Sequence, residues 1–171
     1  MKKGIIIQSS ARSIGDTSKI VNFLKSETQF DSIDLKQYVI NHFDYEFKNK
    51  EDDFNVLFKS IVIKYDIILF VTPIYWYTMS GLLKVFMDRI SDFLIYEKEY
   101  GRMLRGMQMG VVSCSNEKDI FKGFDLPFKK TATYLGMDYL GNLHTHVKEN
   151  ILSMEVKKNI ANYVMKNINI K

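Results

Sequence analysis

Short runs of apolar residues alternate along the chain with longer segments in which apolar residues recur every three or four positions. Short, continuous apolar runs bounded by turn residues are typical of strands that are buried on both faces of a sheet. The pattern predicts five strands, at residues 4–7, 32–35, 67–71, 109–112 and 137–147.

The segments between the strands have the spacing of amphipathic helices. Residues 52–64 show it most clearly, because apolar side chains recur there at Phe54, Leu57, Phe58, Ile61 and Val62. The other predicted helices are 17–26, 80–94, 121–135 and about 151–167. Alternating strands and helices predict one α/β domain over residues 1–171, with a parallel sheet covered on both faces. Ligands of such sheets bind beyond the carboxyl ends of the strands, where the strand order reverses.

The loop after the first strand, QSSARSIGDTS, is rich in hydroxyl groups and ends at a predicted helix N-terminus. Unpaired N–H groups at a helix N-terminus favour an anion, and a phosphate monoester would suit the loop. The candidate donors are Ser9, Ser10, Arg12, Thr17 and Ser18. The alternative is simple helix capping by Asp16 or Thr17, which needs only one such residue.

Several other phosphate chemistries do not match this loop. It lacks the Gly-Lys-Ser/Thr of a P-loop, and it lacks the Gly-x-Gly-x-x-Gly of a dinucleotide-binding turn. No acidic pair follows the first strand, as a phosphoacceptor domain would require, and the loop contains no cysteine nucleophile.

The loop after the third strand places the only tryptophan, Trp76, between Tyr75 and Tyr77 and directly after Pro73 and Ile74. Aromatic faces at the carboxyl edge of a sheet suit a flat ligand. The alternative is that Trp76 and one tyrosine pack beneath a neighbouring helix.

Small polar residues follow the fourth strand in the sequence SCSNE. Ser115 and Asn116 could approach a ligand closely, although such residues are also common in turns.

Composition and charge exclude several partners. The net charge of +4 is spread along the chain without a block of like charges, so nucleic-acid binding is not indicated. The single Cys114 cannot form an intramolecular disulfide, which favours a reducing compartment. We find neither a signal peptide nor 18 consecutive apolar residues, and therefore expect a cytoplasmic protein with no membrane span.

Two stretches, SSARSIGDTSK and TPIYWYTMSGLLKVFMDR, together resemble the flavodoxin-like NAD(P)H-dependent FMN reductase family. The resemblance follows the order of elements along the whole chain, and the second stretch is the more specific. It implies a three-layer sandwich with a five-stranded parallel sheet in the order 2-1-3-4-5. It also implies bound FMN, with NADPH or NADH as co-substrate, and electron transfer to a small acceptor such as a quinone, a nitro or azo compound, a flavin or a metal oxyanion.

The resemblance also assigns roles to residues. The FMN phosphate would lie in the first loop, at Ser9, Ser10, Arg12, Asp16, Thr17 and Ser18. The isoalloxazine ring would lie against Pro73, Ile74, Tyr75, Trp76 and Tyr77, with Ser115 and Asn116 nearby. Because the flavin carries the chemistry, no separate catalytic side chain is expected. A homodimer is also implied, and we expect the aromatic residues of 38–47 at its interface.

The first loop departs from the family pattern at two positions. Gln8 stands where glycine is usual, and Asp16 stands where asparagine is usual. An aspartate near a phosphate is unfavourable unless its carboxylate points away to cap the helix. The segment 36–50 contains no cysteine, so no iron–sulfur cluster is expected there.

Two other functions fit the same pattern. A flavodoxin-type electron carrier would bind FMN without reacting with a nicotinamide, although such carriers tend to be acidic. A non-catalytic module of this fold would bind no flavin, and fold alone does not separate these functions.

Three local features have simpler interpretations. We interpret His144 and His146 as a solvated strand end, because the sequence shows no third metal ligand nearby. Cys114 is expected to be a small buried residue. Asp88 and Arg89 are predicted to form an ion pair on a helix surface, and the alternative from the family resemblance is that they hold the flavin loop.

Overall fold

The computed structural model describes residues 2–147 and 151–168, and it contains a five-stranded parallel sheet in the order β2-β1-β3-β4-β5. This confirms the predicted sheet and its strand order. The strands are β1 (Gly4–Gln8), β2 (Asp31–Asp34), β3 (Ile67–Pro73), β4 (Gln108–Ser115) and β5 (Asp138–His146). The helices are α1 (Asp16–Thr28), α2 (Asp53–Lys64), α3 (Gly81–Ile95), α4 (Lys98–Met103), α5 (Leu126–Leu135) and α6 (Met154–Asn167), with a 3₁₀ turn at Leu35–Gln37.

Helices cover both faces of the sheet because successive strand residues point to opposite sides. Ile6 and Leu69 pack against α1 and α6 on one face. Ile68 and Phe70 pack against α2, α3 and α5 on the other face. The central strands β1, β3 and β4 are therefore buried on both sides, which explains why the sequence shows continuous apolar runs there instead of alternation. No helix in the described part of the chain is both long and apolar enough to cross a membrane.

The strand register brings three connections to one edge of the sheet. Gln8 at the end of β1 is level with Val71 of β3, and Pro73 at the end of β3 is level with Cys114 of β4. The connections that follow β1, β3 and β4 therefore lie side by side. Because β1 lies between β2 and β3, this is also where the strand order reverses.

The helices differ most from the predicted ones at two places. Helix α5 begins at Leu126 and not at residue 121, because Pro127 is compatible only with the first helical turn and Gly123 has a φ of 98°. Helix α4 was not predicted, since its sequence KEYGRM contains a glycine and no apolar period. Gly101 lies so close to α3 that an added Cβ would overlap the carbonyl oxygen of Phe93.

The predicted surface ion pair between Asp88 and Arg89 is wrong. Asp88 instead accepts a hydrogen bond from Lys84, one turn earlier on the exposed side of α3. Arg89 faces inward, with 1% of its side chain exposed, and it forms ion pairs with Asp52 and Asp92.

Candidate cofactor site at the carboxyl edge of the sheet

A cleft of about 200 Å³ lies where the three connections meet. It collects residues that are far apart in the sequence but adjacent at the carboxyl ends of β1, β3 and β4. Its lining consists of Ser10, Arg12, Asp16, Thr17, Pro73, Ile74, Tyr75, Cys114, Ser115 and Asn116. All but Cys114 were predicted as cofactor contacts from the sequence.

The first connection forms one wall of the cleft, and its geometry suits an anion. It ends at the N-terminus of α1, where the N–H groups of the first turn have no acceptor within the helix. Arg12 is exposed on this wall, and its backbone N–H donates to Ser10 Oγ at 3.4 Å. Thr17 is buried at the base of the cleft. A cation, hydroxyl groups and a helix N-terminus therefore converge on one small volume.

Two of the predicted phosphate donors do not line this cleft. Ser9 is fully buried, and its hydroxyl donates to the carbonyl oxygen of Val71 at 3.1 Å. The Ser18 hydroxyl donates to the carbonyl oxygen of Gly15 at 2.8 Å and accepts from the Gly15 N–H at 3.0 Å. Both hydroxyl groups thus form hydrogen bonds within the protein that shape the first connection.

Side chains outside the cleft support the same connection. Gln8 Nε2 donates to the carbonyl oxygen of Ser13 at 2.9 Å. From the turn after β2, Lys36 Nζ donates to the carbonyl oxygen of Ala11 at 2.8 Å, and Gln37 Nε2 donates to Ser13 Oγ at 3.0 Å. These bonds hold the backbone of residues 11–13 beside the cleft.

Asp16 contributes a carboxylate to the lining of the cleft. Its Oδ1 atom is buried and has no hydrogen-bond partner within the protein. It therefore does not cap α1 with this oxygen. A buried acceptor that lacks a donor is costly, and a ligand hydroxyl group would satisfy it.

The three predicted aromatic residues lie in a tight hairpin after β3. Tyr75 and Thr78 exchange backbone hydrogen bonds of 2.9 and 3.1 Å, which leaves Trp76 and Tyr77 as the two central turn residues. Their φ angles are 48° and 67°, a conformation that favours glycine or asparagine. Trp76 is 92% exposed and Tyr77 is 69% exposed. The alternative that Trp76 packs beneath a neighbouring helix is therefore contradicted.

A second pocket, of about 500 Å³, lies beside the cleft and shares Ile74 and Ser115 with it. Its walls are the hairpin and the connection that follows β4, where the rings of Tyr77 and Phe121 meet edge to face at 6.0 Å. The complete lining is Ile74, Trp76, Tyr77, Ser115, Glu117, Asp119, Ile120 and Phe121.

Five residues that line the two cavities were not predicted as cofactor contacts from the sequence. Cys114 ends β4 opposite Pro73, so the strand register alone could have placed it at the cleft. The other four are Glu117, Asp119, Ile120 and Phe121. They lie at or shortly before residue 121, where a helix was predicted to begin. They belong to the loop because α5 begins five residues later.

Cys114 is a buried thiol, as predicted, and its sulfur lies 3.4 Å from Thr17 Oγ1. Burial raises the pKa of this thiol to about 11, against a smaller opposing effect of the Thr17 hydrogen bond. A thiol with this pKa is protonated at neutral pH, so Cys114 contributes shape and not nucleophilic chemistry.

His144 ties β5 to the connection after β4. Its Nδ1 lies 3.1 Å from Ser113 Oγ, and its Nε2 donates to the carbonyl oxygen of Glu117 at 3.0 Å. It is therefore part of a hydrogen-bonded support for this connection and is not simply solvated. Among residues 2–147 and 151–168, no three His, Cys, Asp or Glu side chains are grouped as a metal site would require.

Comparison with known proteins gives one family and one fold. A family described as NADPH-dependent FMN reductase matches residues 2–146. The chain is 27% identical over 146 residues, 80% of each protein, to YwqN of Bacillus subtilis (strain 168), which is named as an NAD(P)H-dependent FMN-containing oxidoreductase.

Two solved structures share the fold. The Trp repressor binding protein from Bacillus subtilis superposes with a TM-score of 0.76 at 22% identity, over 96% of this chain and 99% of that one. An NADPH-quinone reductase from P. pentosaceus superposes with a TM-score of 0.67 at 19% identity, over 99% of both chains. At these identities the likeness concerns the fold alone.

Proposed function

The chain belongs to the NADPH-dependent FMN reductase family, and from this membership we propose that it is an FMN-containing oxidoreductase that transfers electrons from NADPH or NADH to a small acceptor. The acceptor classes considered are quinones, nitro or azo compounds, flavins and metal oxyanions. We further propose that residues 1–171 act as one FMN-binding domain in the cytoplasm.

One observation carries this proposal: the anion-binding cleft and the aromatic pocket are contiguous. FMN has a phosphate at one end, a flat ring at the other and a hydroxylated chain between them. Arg12 and the N-terminus of α1 suit the phosphate, and the aromatic hairpin suits the ring. The unpartnered Oδ1 of Asp16 suits a hydroxyl group of the chain. The residues present therefore fit the whole of this cofactor.

We assign the phosphate contacts to Ser10, Arg12 and Thr17, together with the backbone of the first turn of α1. Ser9 and Ser18 were also predicted as contacts, and their hydroxyl groups act by holding the shape of the loop. The ring would lie against residues 73–77, with Ser115 and Asn116 beside it. When bound, FMN supplies the chemistry by accepting a hydride and passing electrons onward, while these side chains bind and orient it.

We also propose a homodimer, in which the second subunit covers part of the cofactor site. The support is the exposure of apolar residues in the segment after β2, where Val39 and Tyr45 are 67% and 84% exposed. Analytical ultracentrifugation of the FMN-loaded protein tests this proposal. Sedimentation as a monomer at all concentrations would contradict it.

The function is tested by titrating the flavin-free protein with FMN and then adding NADPH or NADH without oxygen. We expect the visible flavin absorbance to bleach with at least one nucleotide. A flavin that binds but stays oxidised would favour the electron carrier. A protein that does not bind FMN would contradict the proposal.

A matched pair of variants tests the phosphate contact. Arg12→Ala should weaken FMN binding by about tenfold or more, because charge-assisted hydrogen bonds to a phosphate contribute about 1.5–3 kcal/mol. The variant should leave riboflavin binding unchanged, since riboflavin lacks the phosphate. Arg102→Ala, at an exposed arginine of α4, is the control and should change neither affinity.

A further inference from the structure

We propose that a basic pocket formed by α4 and the ends of α3 and α5 binds a nucleotide through its polyphosphate group. The pocket lies at the opposite edge of the sheet from the cofactor cleft, so the inference does not rest on the proposed function. Arg105 precedes the start of β4 at Gln108, and Leu135 precedes the start of β5 at Asp138. The pocket therefore adjoins the amino ends of these strands, whereas the cleft adjoins carboxyl ends.

The basic pocket has an apolar floor and an aromatic rim. Its volume is about 290 Å³, at the lower end of the range for small-molecule sites. Phe93 and Leu135 are buried at the floor, and Tyr134 is 79% exposed at the rim. The close approach of Gly101 to α3 keeps the two helices together at this point. The complete lining is Phe93, Leu94, Lys98, Gly101, Arg102, Arg105, Tyr134 and Leu135.

Three of the eight lining residues are cations, and none of the described lining residues is acidic. The side chains of Lys98, Arg102 and Arg105 form no ion pair with any residue in the described part of the chain. Glu97, which directly precedes α4, is instead paired with Lys59 at 2.8 Å. The positive charge of the pocket is therefore available to a ligand.

The simpler alternative is that these cations only balance the C-termini of α3 and α5. Each helix end carries about half a negative charge, so the two ends together offset about one of the three cations. The last carbonyl groups of α5 already have donors within the chain. Ala132 accepts from the N–H of Met137 at 2.8 Å, and Thr133 accepts from the N–H of Gly136 at 3.2 Å. The pocket thus remains positive after the helix ends are counted.

A polyphosphate with an attached ring matches this arrangement better than a single carboxylate does. Guanidinium groups form paired hydrogen bonds with phosphate oxygens, and two of them here lie beside a lysine. A diphosphate or triphosphate would engage all three cations, whereas one carboxylate would leave most of the charge unpaired. The exposed ring of Tyr134 offers a face on which a base can stack. These features together indicate a nucleoside diphosphate or triphosphate.

Calorimetric titration tests binding without any turnover. The protein is loaded with FMN and freed of excess flavin, so that the cofactor cleft is already occupied. ATP, tripolyphosphate and adenosine are then titrated separately, without divalent cations. We expect ATP to bind more tightly than tripolyphosphate, because only ATP has a base to place on Tyr134. Adenosine alone should show no saturable binding, since it lacks the phosphates.

Variants separate the two parts of the ligand. Arg102→Ala/Arg105→Ala should weaken both ATP and tripolyphosphate about tenfold or more at low ionic strength. Tyr134→Ala should weaken ATP about threefold or more and leave tripolyphosphate unchanged. Lys25→Ala/Lys158→Ala is the control, because it removes the same charge from exposed positions on α1 and α6. It should change either affinity by less than about twofold.

Two results would overturn the site itself. One is tripolyphosphate that does not bind, and the other is an equal loss of affinity in both charge-removing variants, which would reflect only general attraction to a basic protein. ATP that binds no more tightly than tripolyphosphate, or that is unaffected by Tyr134→Ala, would overturn the assignment to nucleotides. Failure of the proposed function would appear separately, as a protein that binds ATP but not FMN. Arg12→Ala would then exclude the first cleft as the ATP site.

Discussion

Arg89 is a single residue that holds a long connection in place. Its Nε donates to Asp92 at 2.7 Å and its Nη1 donates to Asp52 at 2.6 Å. The same guanidinium donates to the carbonyl oxygens of Asn41 and Asn49 at 3.0 and 3.1 Å. Two backbone carbonyls and two carboxylates thus satisfy a buried charge, and the connection between β2 and α2 is tied to α3.

Removing the Asp52 carboxylate should destabilise the protein in a pH-dependent way. Burial raises the pKa of Asp52, but hydrogen bonds from Arg89, Asn41 and Phe54 outweigh it and hold the pKa below 3.8. Asp52→Asn keeps an oxygen that can cap α2, but it removes the charge and replaces the second acceptor oxygen with an NH2 donor. At pH 7 we expect the free energy of unfolding to fall by about 2–4 kcal/mol, because the buried guanidinium of Arg89 would keep only one of its two carboxylate partners.

The sign of the pH effect follows from the lowered pKa. The Asp52 contribution is present above the unfolded-state pKa and is lost as pH falls through the folded-state pKa. The difference between the two proteins should therefore shrink between pH 5 and pH 3 in urea unfolding. Asp88→Asn, which removes an exposed carboxylate of α3, should cost little at either pH. A difference that stayed constant with pH would contradict an ionic role for Asp52.

Asp16→Asn should tighten FMN binding. The substitution keeps an acceptor oxygen in the cleft but removes a negative charge from the cavity that we assign to the phosphate. We expect FMN affinity to rise about threefold to tenfold at low salt, with riboflavin affinity unchanged. Flavin fluorescence titrations measure both affinities, and Glu27→Gln in the last turns of α1 is the control. An equal change for FMN and riboflavin would place the carboxylate away from the phosphate.

At the scale of elements, the hairpin after β3 combines exposure with backbone strain. Non-glycine residues at positive φ cost free energy, and such residues cluster at functional sites. Trp76 and Tyr77 are both in this conformation while their side chains are largely exposed, so burial does not compensate for the strain. The hairpin is therefore better explained by ligand binding than by stability.

Replacing the strained pair should stabilise the protein and weaken the site. Asparagine and glycine are the preferred residues of a two-residue turn with positive φ. For Trp76→Asn/Tyr77→Gly we expect the free energy of unfolding of the flavin-free protein to rise by about 1–2 kcal/mol, because the strain is relieved. The lost ring contact between Tyr77 and Phe121 should reduce this gain slightly.

The same double variant should lose FMN affinity, which urea unfolding and flavin titration measure separately. Tyr45→Asn replaces an exposed tyrosine that is not at positive φ, and this control should not be stabilised. A destabilised Trp76→Asn/Tyr77→Gly protein would show that the two aromatic side chains contribute more packing than strain.

At the scale of the whole molecule, local sequence patterns predicted the architecture because the three central strands, β1, β3 and β4, are buried and largely apolar runs. Parallel topology then places the ends of β1, β3 and β4 together, which is why Ser10, Tyr75 and Asn116 could be assigned to one site. Arg89 was misassigned because one of its two carboxylate partners, Asp52, is 37 residues away, and no local pattern encodes that contact. Phe121 was missed because the start of α5 depends on a turn that the helical period does not reveal.

Binding of FMN should stabilise the whole chain, since the site is assembled from three connections that unfolding separates. A ligand at 100 times its dissociation constant adds about 2.7 kcal/mol to the free energy of unfolding. For a chain of this size we expect the melting temperature to rise by about 5–10 °C. Scanning calorimetry with and without FMN measures the shift.

Riboflavin at the same concentration should give a smaller shift, because it offers the ring and the hydroxylated chain without the phosphate. The difference between the two shifts measures how much the first connection and α1 contribute to binding. Equal shifts would mean that Arg12 and the N-terminus of α1 contribute nothing, and that the aromatic hairpin holds the cofactor alone. A larger shift with FMN would mean that the phosphate, held by Arg12 and the N-terminus of α1, adds binding free energy to that of the ring and the hydroxylated chain.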